Sequence, residues 1–320
     1  IGNSKESITW ALSGFSNSVI WLIFAAFMFA LGYKKTGLGK RVSLVMIKYM
    51  GKSSLGLGYA VAFSDLVLSP FMPSNTARSA GTIYPVASNI PLIFDSTPEH
   101  EPRKLGAYIS WVAIATTCVT SSMFLTALAP NLLAVDLINK GTGHMISWGA
   151  WASIMLPLMI PLFLLTPWLV YVVYPPTQKT SPEAPAWAAE ELKKLGGITS
   201  KELLMAGLAV VALALWIFSK DFGIDSTTTA ISIVSIMVLA NVITWDDVIS
   251  NKAAFNVLIW FASLVAMAAG LKKVGVLDWI GSSTEVYLSG MSPTMLILSM
   301  LFLFFVLHYF FASTTAHTTA

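Results

Sequence analysis

Charge is what this sequence has least of. Of its 320 residues only 11% are Asp, Glu, Lys or Arg, against about 25% in an average soluble domain, while 56% are hydrophobic. Water does not solvate so apolar a chain as a compact globule, so a bilayer is the solvent that fits. Cysteine is nearly absent: Cys118 stands alone, which excludes an internal disulfide and leaves the redox compartment open. There is no His-Glu-x-x-His pattern and no cysteine pair, so no metal site is indicated. No phosphate-binding Gly-x-x-x-x-Gly-Lys-Ser/Thr loop occurs, and nothing resembles a cofactor-binding motif, so no cofactor is expected. The net charge of +3 is small and no basic block is interleaved with aromatics, which excludes nucleic acid as a partner. The opening residues lack a basic region followed by an apolar one, so no secretory signal is expected. The final residues stop inside what reads as the start of a helix, so the chain reads as part of a longer one.

What the sequence has in abundance is long apolar runs. Residues 15–33, 147–175, 202–219, 225–243 and 253–271 are each near the roughly 20 residues that a spanning helix needs. The fold class is therefore all-α and polytopic. Residues 34–52 are basic and amphipathic, with Leu38, Val42, Val45 and Met46 at helical spacing, which predicts a helix lying along the interface. Residues 55–94 are apolar but interrupted at Pro70 and again at Pro73, Ser74 and Asn75. Each half is short for a crossing, and the economical reading is a re-entrant helical hairpin with its tip in the membrane. Residues 106–139 predict a long helix broken at Ala129, Pro130 and Asn131. Residues 176–201 hold four charged residues in one run and several prolines, and read as a polar linker with a short helix. Residues 292–320 are a last apolar run ending in a second polar turn.

With residues 34–52 placed in the cytoplasm and residues 55–94 returning to their own side, the cytoplasmic loops hold thirteen Lys and Arg and the opposite side five. That bias satisfies the positive-inside rule, and the reverse topology breaks it. Arg78 is left over, inside the membrane.

The chain also repeats itself. Ile20 and Trp21 match Ile259 and Trp260. The stretch from Gly32 through Lys34 and Lys35 to Gly37 matches that from Gly270 through Lys272 and Lys273 to Gly275. The turn at Ser74 matches the turn at Ser313. Three matches in order at a nearly constant offset read as an internal repeat. By the topology above its copies enter from opposite faces, an inverted repeat of the kind common in secondary transporters.

The two polar turns carry the chemistry. In the first, Ser74 reads as the N-cap of a helix, with Asn75 and Thr76 beside it and Arg78 four residues on. Free N–H groups and the positive helix end, worth roughly +0.5 charge, make such a tip an anion site. Hydroxyl and amide donors suit a carboxylate, and an arginine can fork onto one. The second turn repeats the logic with Ser313, Thr314, Thr315 and His317. Together they suit a small organic anion of two or three charges. Serine and threonine in membrane helices also serve simply as helix glue; Arg78, an intramembrane arginine, is a functional candidate by default. Asp65 reads either as a proton carrier or as a structural partner. Asn131 marks a break that either lines the site or is a proline kink. His308 reads as a packing residue, and His100 and His144 as solvated loop residues. Ser313 with His317 could form a nucleophile–base pair, but no third orienting acid or nucleophile elbow accompanies them. No enzyme is expected.

The stretches from Ser69 to Arg78 and from His308 to His317 resemble the divalent anion:sodium symporter family, and within it the bacterial citrate/succinate and tartrate/succinate antiporter branch. The similarity runs through essentially all of the chain. It implies a homodimeric, multi-pass elevator carrier of the bacterial inner membrane. Residues 1–33 and 202–271 would be scaffold, residues 34–54, 176–201 and 272–291 interfacial arms or linker, and residues 55–175 and 292–320 the moving domain. The family's Ser-Asn-Thr motif maps onto Ser74, Asn75 and Thr76. Its second copy maps onto Ser313, Thr314 and Thr315, with Thr314 in place of the usual Asn. In sodium-coupled members cations sit beside these tips, where this chain has Arg78 and His317. The resemblance therefore implies exchange of small carboxylates such as succinate, citrate, tartrate or malate. Sodium- or proton-coupled symport is the alternative.

Overall fold

The computed structural model describes residues 4–288, 290–311 and 314–319. All regular structure among them is helical. Helix α1 spans Ser4–Leu12, α2 Ser18–Thr36, α3 Leu38–Met50 and α4 Ser54–Leu68. A 3-10 turn, Ser69–Phe71, and an extended link lead to a π-helix, Thr76–Ile83, followed by short α5, Tyr84–Ala87, and α6, Asn89–Leu92. Then come α7, Gly106–Met123, a 3-10 turn at Leu125–Ala127, α8, Ala129–Thr142, and α9, Trp148–Val173. Helices α10, Glu183–Leu195, α11, Ser200–Ile217, α12, Ser219–Phe222, α13, Ser226–Leu239, and α14, Trp245–Ile249, lead to α15, Lys252–Lys273. The chain ends with α16, Val276–Leu288, α17, Pro293–Leu307, a 3-10 turn at His308–Phe310, and α18, Thr314–Thr319.

Six of these segments are long and apolar enough to cross a membrane. At 26 residues α9 is the longest; at 1.5 Å per residue it outruns a hydrocarbon core of ~30 Å and must tilt or protrude. Ser54–Phe71 reaches spanning length by itself, longer than a reading of two short halves allows. The break after α7 also falls earlier than Pro130 predicts. It occupies Phe124–Leu128, whose two ends are extended, and Pro130 lies in the first turn of α8. There a missing N–H costs nothing, so the proline starts a helix rather than kinking one.

Two groups of helices carry the packing. Helices α4, α7 and α9 lie against one another: Phe63 of α4 meets Phe163 of α9 edge-on at 5.2 Å, and Tyr108 of α7 meets Tyr171 of α9 at 5.8 Å. Helix α2 lies against α13 and α15, with Phe24 edge-on to Phe255 at 5.2 Å. Gly14, in the turn after α1, sits directly on the Ala262 backbone of α15. The amphipathic helix α3 packs on both α10 and α4 and buries Gly39, Ser43, Leu44 and Ile47, with Gly39 against Thr82 and Leu68. Where α3 and α10 meet α4 and the link before α10, Ser54 N donates to Lys179 O at 3.1 Å and Ser181 N to Lys52 O at 3.0 Å. Arg41 of α3 binds Glu202 of α11 at 2.7 Å.

The order of elements recurs. Helix α2 ends in two lysines before Gly37 at φ +78°, and α15 ends in two lysines before Gly275 at φ +79°. A 13-residue helix follows each, then a 15-residue helix, then a three-residue 3-10 turn. The left-handed conformation at both glycines is one that a Cβ disfavours.

Candidate functional site

The first polar turn is built from both of its flanks. Ser74 Oγ accepts from Ala77 N at 3.3 Å and Ser74 O from Arg78 N at 2.9 Å, so Ser74 opens the following helix as its sequence predicts. That helix is π-wound, a geometry most often met as a local bulge at functional sites.

Arg78 is fully buried, and its guanidinium is spent on the protein. Nε donates to Asp65 Oδ2 at 3.1 Å; Nη1 donates to Met72 O at 2.9 Å and Ala127 O at 3.0 Å. Nη2 donates to Asn75 Oδ1 and Thr117 Oγ1, each at 3.1 Å, and to Thr120 Oγ1 at 3.3 Å. Thr120 Oγ1 in turn donates to Asp65. All five N–H donors of an arginine fork are therefore engaged from α4, the turn, α7 and the α7–α8 break at once. The expectation that Arg78 reaches out to a bound carboxylate is corrected: the side chain points inward, and its charge is matched by Asp65. Burying the pair is costly, and the full set of bonds on the arginine side offsets that cost, while Asp65 Oδ1 is left without a hydrogen-bond partner among the described residues. Asp65 is thereby paired with Arg78 at 3.1 Å.

The break is fastened to the turn by the backbone as well. Ala129 N donates to Pro73 O at 2.9 Å, and Thr126 Oγ1 donates to Pro70 O. Trp148 Nε1 donates to Thr126 Oγ1 at 3.1 Å. Asn131 spends its amide donors on the ends of α7, at 2.7 Å to Ser121 O and 3.3 Å to Phe124 O. It closes the break and presents no donor of its own to a ligand.

Ser74 and Thr76 line a cavity of about 710 Å³ between the turn, α2 and the start of α15. Lys34, Asp247, Lys252 and Asn256 line its other walls. Asp247 is bound by Lys35 at 2.6 Å and caps Thr244 N at 2.8 Å. The hydrogen bond from Lys35, then that from the Thr244 amide, lower its carboxyl to about 2, so it is ionised and locally neutralised at any physiological pH. Lys34, Lys252 and Asn256 were not singled out by sequence reasoning. The sequence-level trace of them is weak: a lysine closing one apolar run and an Asn-Lys pair opening another.

The second turn is placed only in part. Ser313 lies outside the described residues. Thr314 is exposed at the start of α18; Thr315 lies within that helix, and its side chain is outside the described ones. His317 is buried. Its ring lies 4.1 Å from that of Phe304 and 5.3 Å from that of Phe311, and its Nδ1 is 3.4 Å from His308 Nδ1. Its Nε2 has no partner among the described residues. Helix α18 packs on α8, the helix that begins at the break. The cavity at the first turn is lined by none of the second turn's described residues; the structure brings Ser74, Asn75, Thr76 and Arg78 together, and α18, which carries His317, reaches the first turn's surroundings through α8, whose Ala129 N donates to Pro73 O.

Comparison with known proteins gives a consistent result. The description of the sodium:sulfate symporter transmembrane region matches residues 1–320. The chain is 51% identical over 318 residues to the L-tartrate/succinate antiporter of Escherichia coli strain K12, and to the proteins of the same name from Shigella sonnei strain Ss046 and Escherichia coli O157:H7. Each alignment covers 99% of this chain and 65% of the relative, so the chain spans somewhat under two thirds of the length of these curated relatives.

Proposed function

Because this chain belongs to the sodium:sulfate symporter family, that of the divalent anion:sodium symporters, we propose that it forms the core of a secondary carrier exchanging small di- or tricarboxylates across a bacterial inner membrane. The names of the relatives support tartrate and succinate as substrates. They are names of transporters, in keeping with carriage rather than catalysis.

In this reading the group of α4, the π-helix, α7 and α9 belongs to the moving domain, and α2, α11, α13 and α15 to the scaffold. The paired helices α3 and α10 are the arms joining them. The recurrence of elements from α2 onward and from α15 onward supports an inverted repeat. The break of α4 at Ser69–Phe71 supports a re-entrant tip. A homodimer is proposed on the family resemblance.

Substrate is held at the first turn by the Ser74 and Thr76 hydroxyls and the helix end behind them, and by the second turn with Ser313, Thr314, Thr315 and His317. Asn75 and Asn131 shape the tip from behind. The observation that carries the exchange reading is the placing of Arg78. Its guanidinium sits among the carbonyl oxygens of Met72 and Ala127, from two broken helices, a setting in which a free cation would otherwise be coordinated. A tethered cation cannot leave with the substrate, so the tip stays assembled without sodium and no ion gradient is coupled to the movement. An unloaded tip leaves helix-end donors unpaired in a low-dielectric setting, which favours return with a second carboxylate.

The test is uptake of labelled succinate into proteoliposomes of the full-length carrier. Uptake is expected to require internal succinate or tartrate and to be indifferent to sodium. Uptake that needs external sodium and proceeds into empty liposomes overturns exchange in favour of symport.

A further inference from the structure

The wall opposite the first turn holds three hydrogen-bond donors that the protein leaves unused. Lys34 closes the last turn of α2, Lys252 opens α15 and Asn256 lies one turn further along it. All three are exposed and line the same cavity as Ser74 and Thr76. Among the described residues, neither lysine has an ion-pair partner and the Asn256 amide makes no hydrogen bond. The nearby lysine of the same segment behaves differently: Lys35 is spent on Asp247, the one acidic residue on this wall. The cavity therefore carries two positive charges in surplus, both on helices that pack together and away from the α4–α7–α9 group. The α15 helix runs 22 residues, and its first turn faces the cavity, adding the positive end of its dipole to Lys252.

From this arrangement we propose a second, weaker carboxylate station, formed by Lys34, Lys252 and Asn256, facing the Ser74–Thr76 turn across the cavity. It rests on the carrier reading above and adds to it where the anion pauses before the turn takes it. The charge matches: two surplus ammonium groups meet one dicarboxylate, with the Asn256 amide as a neutral third donor. Exposed lysines bind such an anion loosely and release it quickly, as a station on a path requires. In the cavity, with low-dielectric walls on either side, they raise its local concentration, an effect of about ten- to a thousandfold on association for charge-lined clefts. Two charges on the scaffold side also give discrimination. A monocarboxylate, with half the charge, gains only about half the Coulombic attraction, and a neutral diol gains none from its net charge. By the positive-inside count this is the cytoplasmic face, so the station serves outward-bound substrate.

The experiment is counterflow exchange of labelled succinate in proteoliposomes of oriented full-length carrier. Wild type is compared with Lys34→Gln, Lys252→Gln and the double variant, from each face, at low and high ionic strength. At low salt the double variant is expected to raise KM at the arm-bearing face about tenfold. KM at the opposite face should move less than twofold. High salt should raise the wild-type KM toward that of the variant, because it screens charge within about 8–10 Å. Lys34→Arg and Lys252→Arg should retain most of the wild-type KM, which separates charge from folding. A double variant whose KM is unchanged, or which shifts both faces equally with the wild-type salt dependence intact, overturns the station. Wild-type liposomes that exchange no carboxylate overturn the carrier reading itself, and that control tells the two failures apart.

Discussion

Arg78 illustrates how a lone charge survives burial in a membrane protein. Its position in the sequence marks it as expensive, and only a full set of partners makes it tolerable. Because it joins α4, the turn, α7 and the break, its removal should act on stability and transport together. Arg78→Gln is expected to cost about 3–5 kcal/mol, the usual penalty for leaving one partner of a buried pair uncompensated, and to abolish exchange. Arg78→Lys should rescue little, since an ammonium presents a point charge where six acceptors are arranged around a planar fork. Asp65→Asn in the Arg78→Gln background should cost less than either change alone predicts, because the uncompensated carboxylate is then gone. Denaturant titration in detergent with a double-mutant cycle checks all three. Additive costs would mean that the two residues do not act as a pair. The pairing itself was not legible in the sequence: Asp65 and Arg78 stand in different helices, and only the turn at Ser69–Phe71 folds one back to the other.

At the scale of elements, close approach of backbones decides what the sequence can vary. Two glycines, one on each side of the contact between α15 and the N-terminal segment, make the contrast. A Cβ on Gly14 would fall on the Ala262 carbonyl of α15, which is backbone and cannot step aside; a Cβ on Gly270 would meet the Trp10 ring at 2.7 Å, a side chain that can rotate. Gly14→Ala is therefore expected to destabilise by about 1–3 kcal/mol, the range for overpacking, and Gly270→Ala by clearly less. Thermal unfolding of the purified variants compares them directly; equal losses would show that the α1–α15 contact yields as a whole. The apolar runs predicted most of the spans, since burial in lipid and burial in protein both select the same side chains; residues 225–243, however, hold only the 14-residue α13, and Ser54–Phe71 reaches spanning length. The runs predicted the arm face poorly. Both faces of α3 carry apolar residues, and only its packing against α10 and α4 together chooses Ser43, Leu44 and Ile47 for burial over Val42 and Met46.

For the whole molecule, the charge count makes a prediction that packing cannot. Residues 34–52 and the segment around α10 lie together, clasped through Ser54 and Ser181, and hold most of the basic residues. In a Cys118→Ser background, Lys48→Cys should resist a membrane-impermeant maleimide added to intact cells and react after lysis. Lys140→Cys should react in intact cells. The opposite pattern would invert the topology and move the proposed station to the outer face.

The sequence by itself determined the solvent, most of the long apolar helices, the family, and the two polar turns. All of these rest on composition or on short contiguous motifs, which need no partner to be read. Only the tertiary structure decided that Arg78 faces inward to Asp65, that Asn131 closes the α7–α8 break, and that Lys34 and Lys252 face the first turn. Each of those depends on where a helix far along the chain comes to rest. A charge has no fixed meaning until its neighbours settle whether it is matched, and those neighbours are set by folding, not by spacing.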